Sequence, residues 1–103
     1  MTTVTYRPEE FYMKIDGHAG FAPAGQDLVC AAVTILGWTL IDGAQKYKTS
    51  LHLDDGVIEL RCYPEEEQEE SCRVLFDTIA RGCELMAEKF PAYIKMGGYY
   101  GDE

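Results

Sequence analysis

Between Asp27 and about Gln45 the sequence places apolar residues on nearly every side of a helix: Leu28, Val29, Ala31, Ala32, Val33, Ile35, Leu36, Trp38, Leu40 and Ile41 leave little of the circumference polar. A helix of that kind must be covered on more than one side. The chain has 103 residues, enough for one domain, residues 1–103, with a modest core. A single sheet cannot wrap such a helix, so a second helix or a second subunit has to cover the rest, and a homodimer is expected.

The remaining elements follow from local pattern. Thr2 to Arg7 is rich in Thr, Val and Tyr and reads as a strand. After a turn at Pro8-Glu9-Glu10, Phe11 to Asp16 alternates, with Phe11, Met13 and Ile15 on one face. Gly17 to Gln26 reads as a loop carrying Gly17, Gly20, Pro23 and Gly25. Lys46 to Leu53 and Val57 to Tyr63 flank Asp54-Asp55-Gly56 and read as a hairpin. Pro64 to Ser71, with five glutamates, opens a second helix, where acids suit the positive end of the macrodipole. Cys72, Leu75, Phe76, Ile79, Cys83, Met86 and Phe90 then form its apolar stripe until Pro91 stops it, and Tyr93 to Met96 reads as a last strand. The order ββαββαβ implies an α+β fold, a largely antiparallel sheet of about five strands with two helices packed on it.

The charge narrows the partners. Eighteen acidic against nine basic residues give a net charge of −9. Binding to phosphate backbones draws on Lys and Arg, so no direct nucleic-acid contact is expected, whereas a basic partner is well suited. No unbroken run of about 20 apolar residues is present, so no membrane span is expected. Met1 to Glu10 lacks the basic start and apolar centre of a secretory signal, which makes the cytoplasm the expected location.

Four cysteines, Cys30, Cys62, Cys72 and Cys83, carry the candidate chemistry. None forms a C-x-x-C pair, so no metal site is expected, and nothing in the sequence implies a cofactor. Cys62, Cys72 and Cys83 fall on apolar faces and read as small buried hydrophobes. Cys30 differs. If Asp27 is the N-cap, Cys30 sits in the first turn of its helix, where unpaired N–H groups and the helix dipole favour a thiolate. Backbone N–H groups nearby, that of Ala31 among them, could hold an oxyanion. Of the two histidines, His52 lies between Leu51 and Leu53 in a hairpin strand and reads as solvent-facing. His18 follows Gly17 at a strand end, and the glycine loop returns the chain to Cys30, so an imidazole and a thiol stand at the two ends of one connector.

Gly17-His18-Ala19 followed by Gly25-Gln26-Asp27-Leu28-Val29-Cys30-Ala31-Ala32-Val33-Thr34 resembles the signature of the ribosomal-processing cysteine proteases called Prp. The resemblance implies a catalytic dyad of Cys30 and His18, a substrate loop at Gly17, Gly20 and Gly25, and a homodimer. It further implies removal of a short N-terminal extension from ribosomal protein twenty-seven of the large subunit, whose basic tail is then the partner. Asp27 matches the family's acidic position, where it orients His18 or caps the helix; the cap is preferred because one carboxylate does not easily do both. Thr34 stands where the family often has Ser, a mild departure that keeps a hydroxyl one turn beyond Cys30. Two other readings stay open at this stage: the same chemistry on a phage structural protein, and a non-catalytic acidic module that holds a basic partner. A thiol redox role ranks below both, since no resolving cysteine is near Cys30 in sequence.

Overall fold

The computed structural model describes residues 1–17 and 24–97, with backbone only for 24–27. Five strands form one mixed sheet: β1 (Thr2–Arg7), β2 (Tyr12–Asp16), β3 (Thr49–Asp54), β4 (Val57–Cys62) and β5 (Ile94–Met96), in the spatial order β3-β4-β2-β1-β5. All neighbours are antiparallel except β1 and β5, which run parallel. Helix α1 (Ala24–Gly43) links the two hairpins, and α2 (Glu69–Lys89) carries the chain from β4 back to the far edge. The expected α+β order ββαββαβ is the one observed.

Strand alternation decides which side of the sheet the helices cover. Val4 and Tyr6 of β1, Met13 and Ile15 of β2, and Leu60 and Cys62 of β4 are all buried with Val29, Val33 and Leu40 of α1 and Cys72, Phe76, Ile79 and Cys83 of α2. Tyr6 stacks on Phe76 with ring centroids 6.2 Å apart, two of the largest fully buried side chains. Burying each such side chain is worth roughly 1.5–3 kcal/mol. The opposite face is polar: Tyr12 donates to Glu59 at 2.7 Å, and Arg61 lies over the Tyr12 ring while pairing with Glu10 at 2.8 Å. Burial first, and then the Glu59 carboxylate, push the Tyr12 phenol up to about 12.

Several boundaries depart from expectation for identifiable reasons. β2 starts at Tyr12 because Phe11 takes a left-handed conformation, φ 50°, closing the short 3-10 turn of Pro8–Glu10. Ala44–Lys46 continue α1 as a 3-10 turn, so β3 begins only at Thr49. The glutamates before α2 are solvent-exposed around a third 3-10 turn, where Glu65 and Gln68 form a reciprocal capping box. Phe90 ends up past the last turn and is exposed rather than part of the α2 stripe.

α1 fits its place through a glycine. A Cβ at Gly37 would fall 2.7 Å from Ile58 Cδ1 and 3.2 Å from Ile15 Cδ1, so the helix backbone rests directly on the sheet there. The outward side of α1 stays apolar, with Leu28, Ile35 and Trp38 exposed by 73%, 64% and 49%. Leu28–Lys46 is long and apolar enough to cross a membrane by length and composition alone, a test that the core helix of a folded domain also passes. In the fold its inward side, Val29, Val33 and Leu40, is part of the core.

Candidate active site

An open cleft of about 300 Å3 lies between α1 and the β3–β4 hairpin, with the Cys30 thiol on it. Its walls are mostly apolar: Val33 and Trp38 from α1, Leu53 from β3, and Val57 and Ile58 from β4. The polar groups gather at the Cys30 end, where Thr2, Gly17 and Thr34 also line the cleft. Asp54 is the one charged side chain among the described lining residues.

Backbone pairing builds that end. Thr2 opens β1, donates its N–H to the Tyr93 carbonyl at 2.8 Å and pairs in register with Ile94. Gly17 closes β2 and donates its N–H to the Gly56 carbonyl at 2.7 Å. Gly56 has φ 74°, the conformation a glycine adopts without penalty, and so completes the tight turn between β3 and β4. The end of β2, the start of β1 and the hairpin turn are thereby fixed around one point, and Cys30 faces it from α1. Its Sγ is 3.6 Å from the Thr2 hydroxyl.

The four cysteines separate cleanly. Cys62, Cys72 and Cys83 are buried, as expected, while Cys30 is half-buried. Burial pushes the Cys62 and Cys83 thiols up to about 12 and also raises that of Cys72. Neutral, enclosed thiols of this kind are poor nucleophiles. The exposed position of His52 on β3 also agrees with its sequence reading. Strand alternation turns it away from the face on which its neighbour Leu53 meets the cleft.

Other expectations are corrected. α1 begins at Ala24, so Asp27 lies inside its first turn and is not the cap, and Gly25 belongs to the helix rather than to the loop. Cys30 is then about two turns into α1, where the field of the helix end has weakened. The N–H groups of Cys30 and Ala31 point along the helix toward carbonyls one turn back, which removes them as ready oxyanion donors. Gly17 lines the cleft; His18 and Gly20 lie outside the described residues. Sequence reasoning missed Thr2 and the hairpin wall. The signal for Thr2 was available, because alternation with Val4 and Tyr6 places a hydroxyl on the inward face of β1.

The family model for cysteine protease Prp matches residues 1–95. No curated protein sequence matches significantly. Among solved structures, SMU.848 from Streptococcus mutans is 27% identical, with a TM-score of 0.73 over 92% of this chain and 89% of that one. The essential ribosomal processing protease Prp from S. aureus in complex with a substrate peptide is 17% identical, with a TM-score of 0.78 over 95% of this chain and 96% of that one. The same enzyme with a covalently linked product peptide is 20% identical, with a TM-score of 0.76 over 96% and 99%. At those identities the S. aureus structures speak to the fold.

Proposed function

The chain belongs to the cysteine protease Prp family, and from that premise we propose that it cuts a short N-terminal extension from large-subunit ribosomal protein twenty-seven, with Cys30 as nucleophile and His18 as general base. The observation that carries this reading is the placement of Cys30: it is the half-buried cysteine on an apolar cleft, while Cys62, Cys72 and Cys83 are enclosed in the core. Of the two histidines, His52 faces away, and Gly17, the residue before His18, lines the cleft.

The chemistry is acyl transfer. His18 takes the Cys30 proton, and the sulfur attacks the scissile carbonyl carbon to form a tetrahedral oxyanion. The C–N bond breaks as His18 returns the proton to the leaving amine, which leaves a thioester on Cys30. Water, deprotonated by His18, then attacks the thioester and restores the thiol. The apolar walls, Trp38 and Leu53 among them, suit an apolar side chain beside the scissile bond. The net charge of −9 suits the basic tail of a ribosomal protein. The S. aureus protein of this fold, described as a ribosomal processing protease and solved with substrate and product peptides, supports the same substrate class. A cytoplasmic homodimer completes the reading, with a second copy covering Leu28 and Ile35. Light scattering at micromolar concentration should then give the dimer mass; a monomer would remove that part.

Mass spectrometry of the extended ribosomal peptide, incubated with wild type, Cys30→Ala and His18→Ala, tests the proposal. Wild type should cleave at one bond, Cys30→Ala should not cleave, and His18→Ala should be slower by roughly 10²–10⁴. Undiminished cleavage by Cys30→Ala overturns the nucleophile.

A further inference from the structure

We propose that Thr2 is a positioning residue for the nucleophile: its buried hydroxyl donates to the Cys30 sulfur, orients it toward the cleft and stabilises it as the thiolate. The inference rests on the reading of Cys30 as nucleophile and adds a residue to it.

Three observations support this. First, the hydroxyl is enclosed, since Thr2 is only 2% exposed, and a buried hydroxyl needs a hydrogen-bond partner. The Cys30 sulfur supplies it at 3.6 Å, a separation that suits the larger sulfur atom. Second, the hydroxyl is held in place. The backbone of Thr2 is pinned by the bond to Tyr93 and the register with Ile94, and its β-branched side chain has few rotamers. Gly17 packs against it so closely that a Cβ there would lie 2.9 Å from Thr2 Oγ1 and 3.5 Å from its methyl carbon. Third, the interaction depends on protonation. While sulfur is a thiol either atom can donate; once it is a thiolate only Thr2 can, and a donor to an anion makes the stronger bond. A donor that binds the ionised sulfur more strongly than the thiol favours the thiolate. This supplies at Cys30 some of the stabilisation that the helix end, about two turns away, does not.

Among the described residues, Asp54 of β3 is the charged side chain that shares the cleft with Cys30, and in sequence Asp27 and His18 stand near the two ends of the connector to α1. None is altered by substitution at Thr2, so a change in the Cys30 profile reports the hydroxyl.

The test is the rate of iodoacetamide alkylation at Cys30 against pH, read by peptide mass mapping on the full chain. Wild type, Thr2→Val, Thr2→Ala and Thr2→Ser are compared, alongside kcat and KM for the extended peptide. Thr2→Val keeps the volume and loses the donor. It should slow alkylation near neutral pH by roughly threefold to tenfold, move the midpoint upward, and lower kcat with KM little changed. Thr2→Ser should restore the wild-type midpoint. If Thr2→Val does not fold, Thr2→Ala, which cannot clash, carries the same expectation. A wild-type midpoint in a folded Thr2→Val or Thr2→Ala overturns the proposal, even where wild type cleaves and Cys30→Ala does not. Cleavage by Cys30→Ala is a different outcome and overturns the nucleophile instead.

Discussion

At Gly17 one added methyl group reaches the chemistry. The Cβ of Gly17→Ala would meet the Thr2 hydroxyl at 2.9 Å and displace the group that touches the Cys30 sulfur. Misplacing a catalytic atom is costly in rate, and Gly17→Ala should lower kcat roughly tenfold to a hundredfold, with a smaller change in KM. Steady-state kinetics on the extended peptide measure this. His52→Ala is the contrasting case: exposed on β3 and turned from the cleft, it should leave both constants within about twofold of wild type. Cys30 stood out in the sequence from its place near the start of a helix and from the Gly-His-Ala and Gly-Gln-Asp segments before it, whereas alternation put the Thr2 hydroxyl on the inward face of β1 without showing that Cys30 would meet it there. The cap assignment of Asp27 failed for a local reason. Helical backbone already begins at Ala24, three residues before the aspartate, so Asp27 has no cap position left to fill.

Among the elements, α1 carries the tightest constraint. Gly37 lets it approach β2 and β4, and Gly37→Ala would push on Ile58 and Ile15, both of which line the cleft. Overpacking costs about 1–3 kcal/mol, and the better helix propensity of Ala returns about 1. A net loss near 1 kcal/mol in urea unfolding, together with a raised KM, is expected. In α2, Phe76→Ala removes the ring stacked on Tyr6 and should cost about 3–5 kcal/mol by the same measurement. Both hairpins and both helices were legible, since period-2 and period-3.6 patterns are local. The parallel pairing of β5 with β1 was not, because it depends on where α2 delivers the chain after crossing the sheet.

For the whole molecule, the enclosed thiols set an alkaline limit. Cys62 and Cys83 titrate near 12 in the fold against an ordinary value of 9.0, so between those values the unfolded chain loses protons that the folded chain keeps. Their contribution is therefore full below pH about 9 and is lost as pH rises toward 12. Cys83→Ala should lose less stability than wild type between pH about 8 and about 10.5 in paired urea titrations. The central claim, that the nucleophile is the cysteine on the cleft, concerns the assembled site, where α1, β1, the end of β2 and the β3–β4 hairpin meet. It is tested most directly by trapping the enzyme with a substrate-derived peptidyl chloromethyl ketone and mapping the adduct by mass spectrometry. A single adduct on Cys30, absent from Cys30→Ala, is predicted; an adduct on Cys62, Cys72 or Cys83, with Cys30 unmodified, would contradict the account.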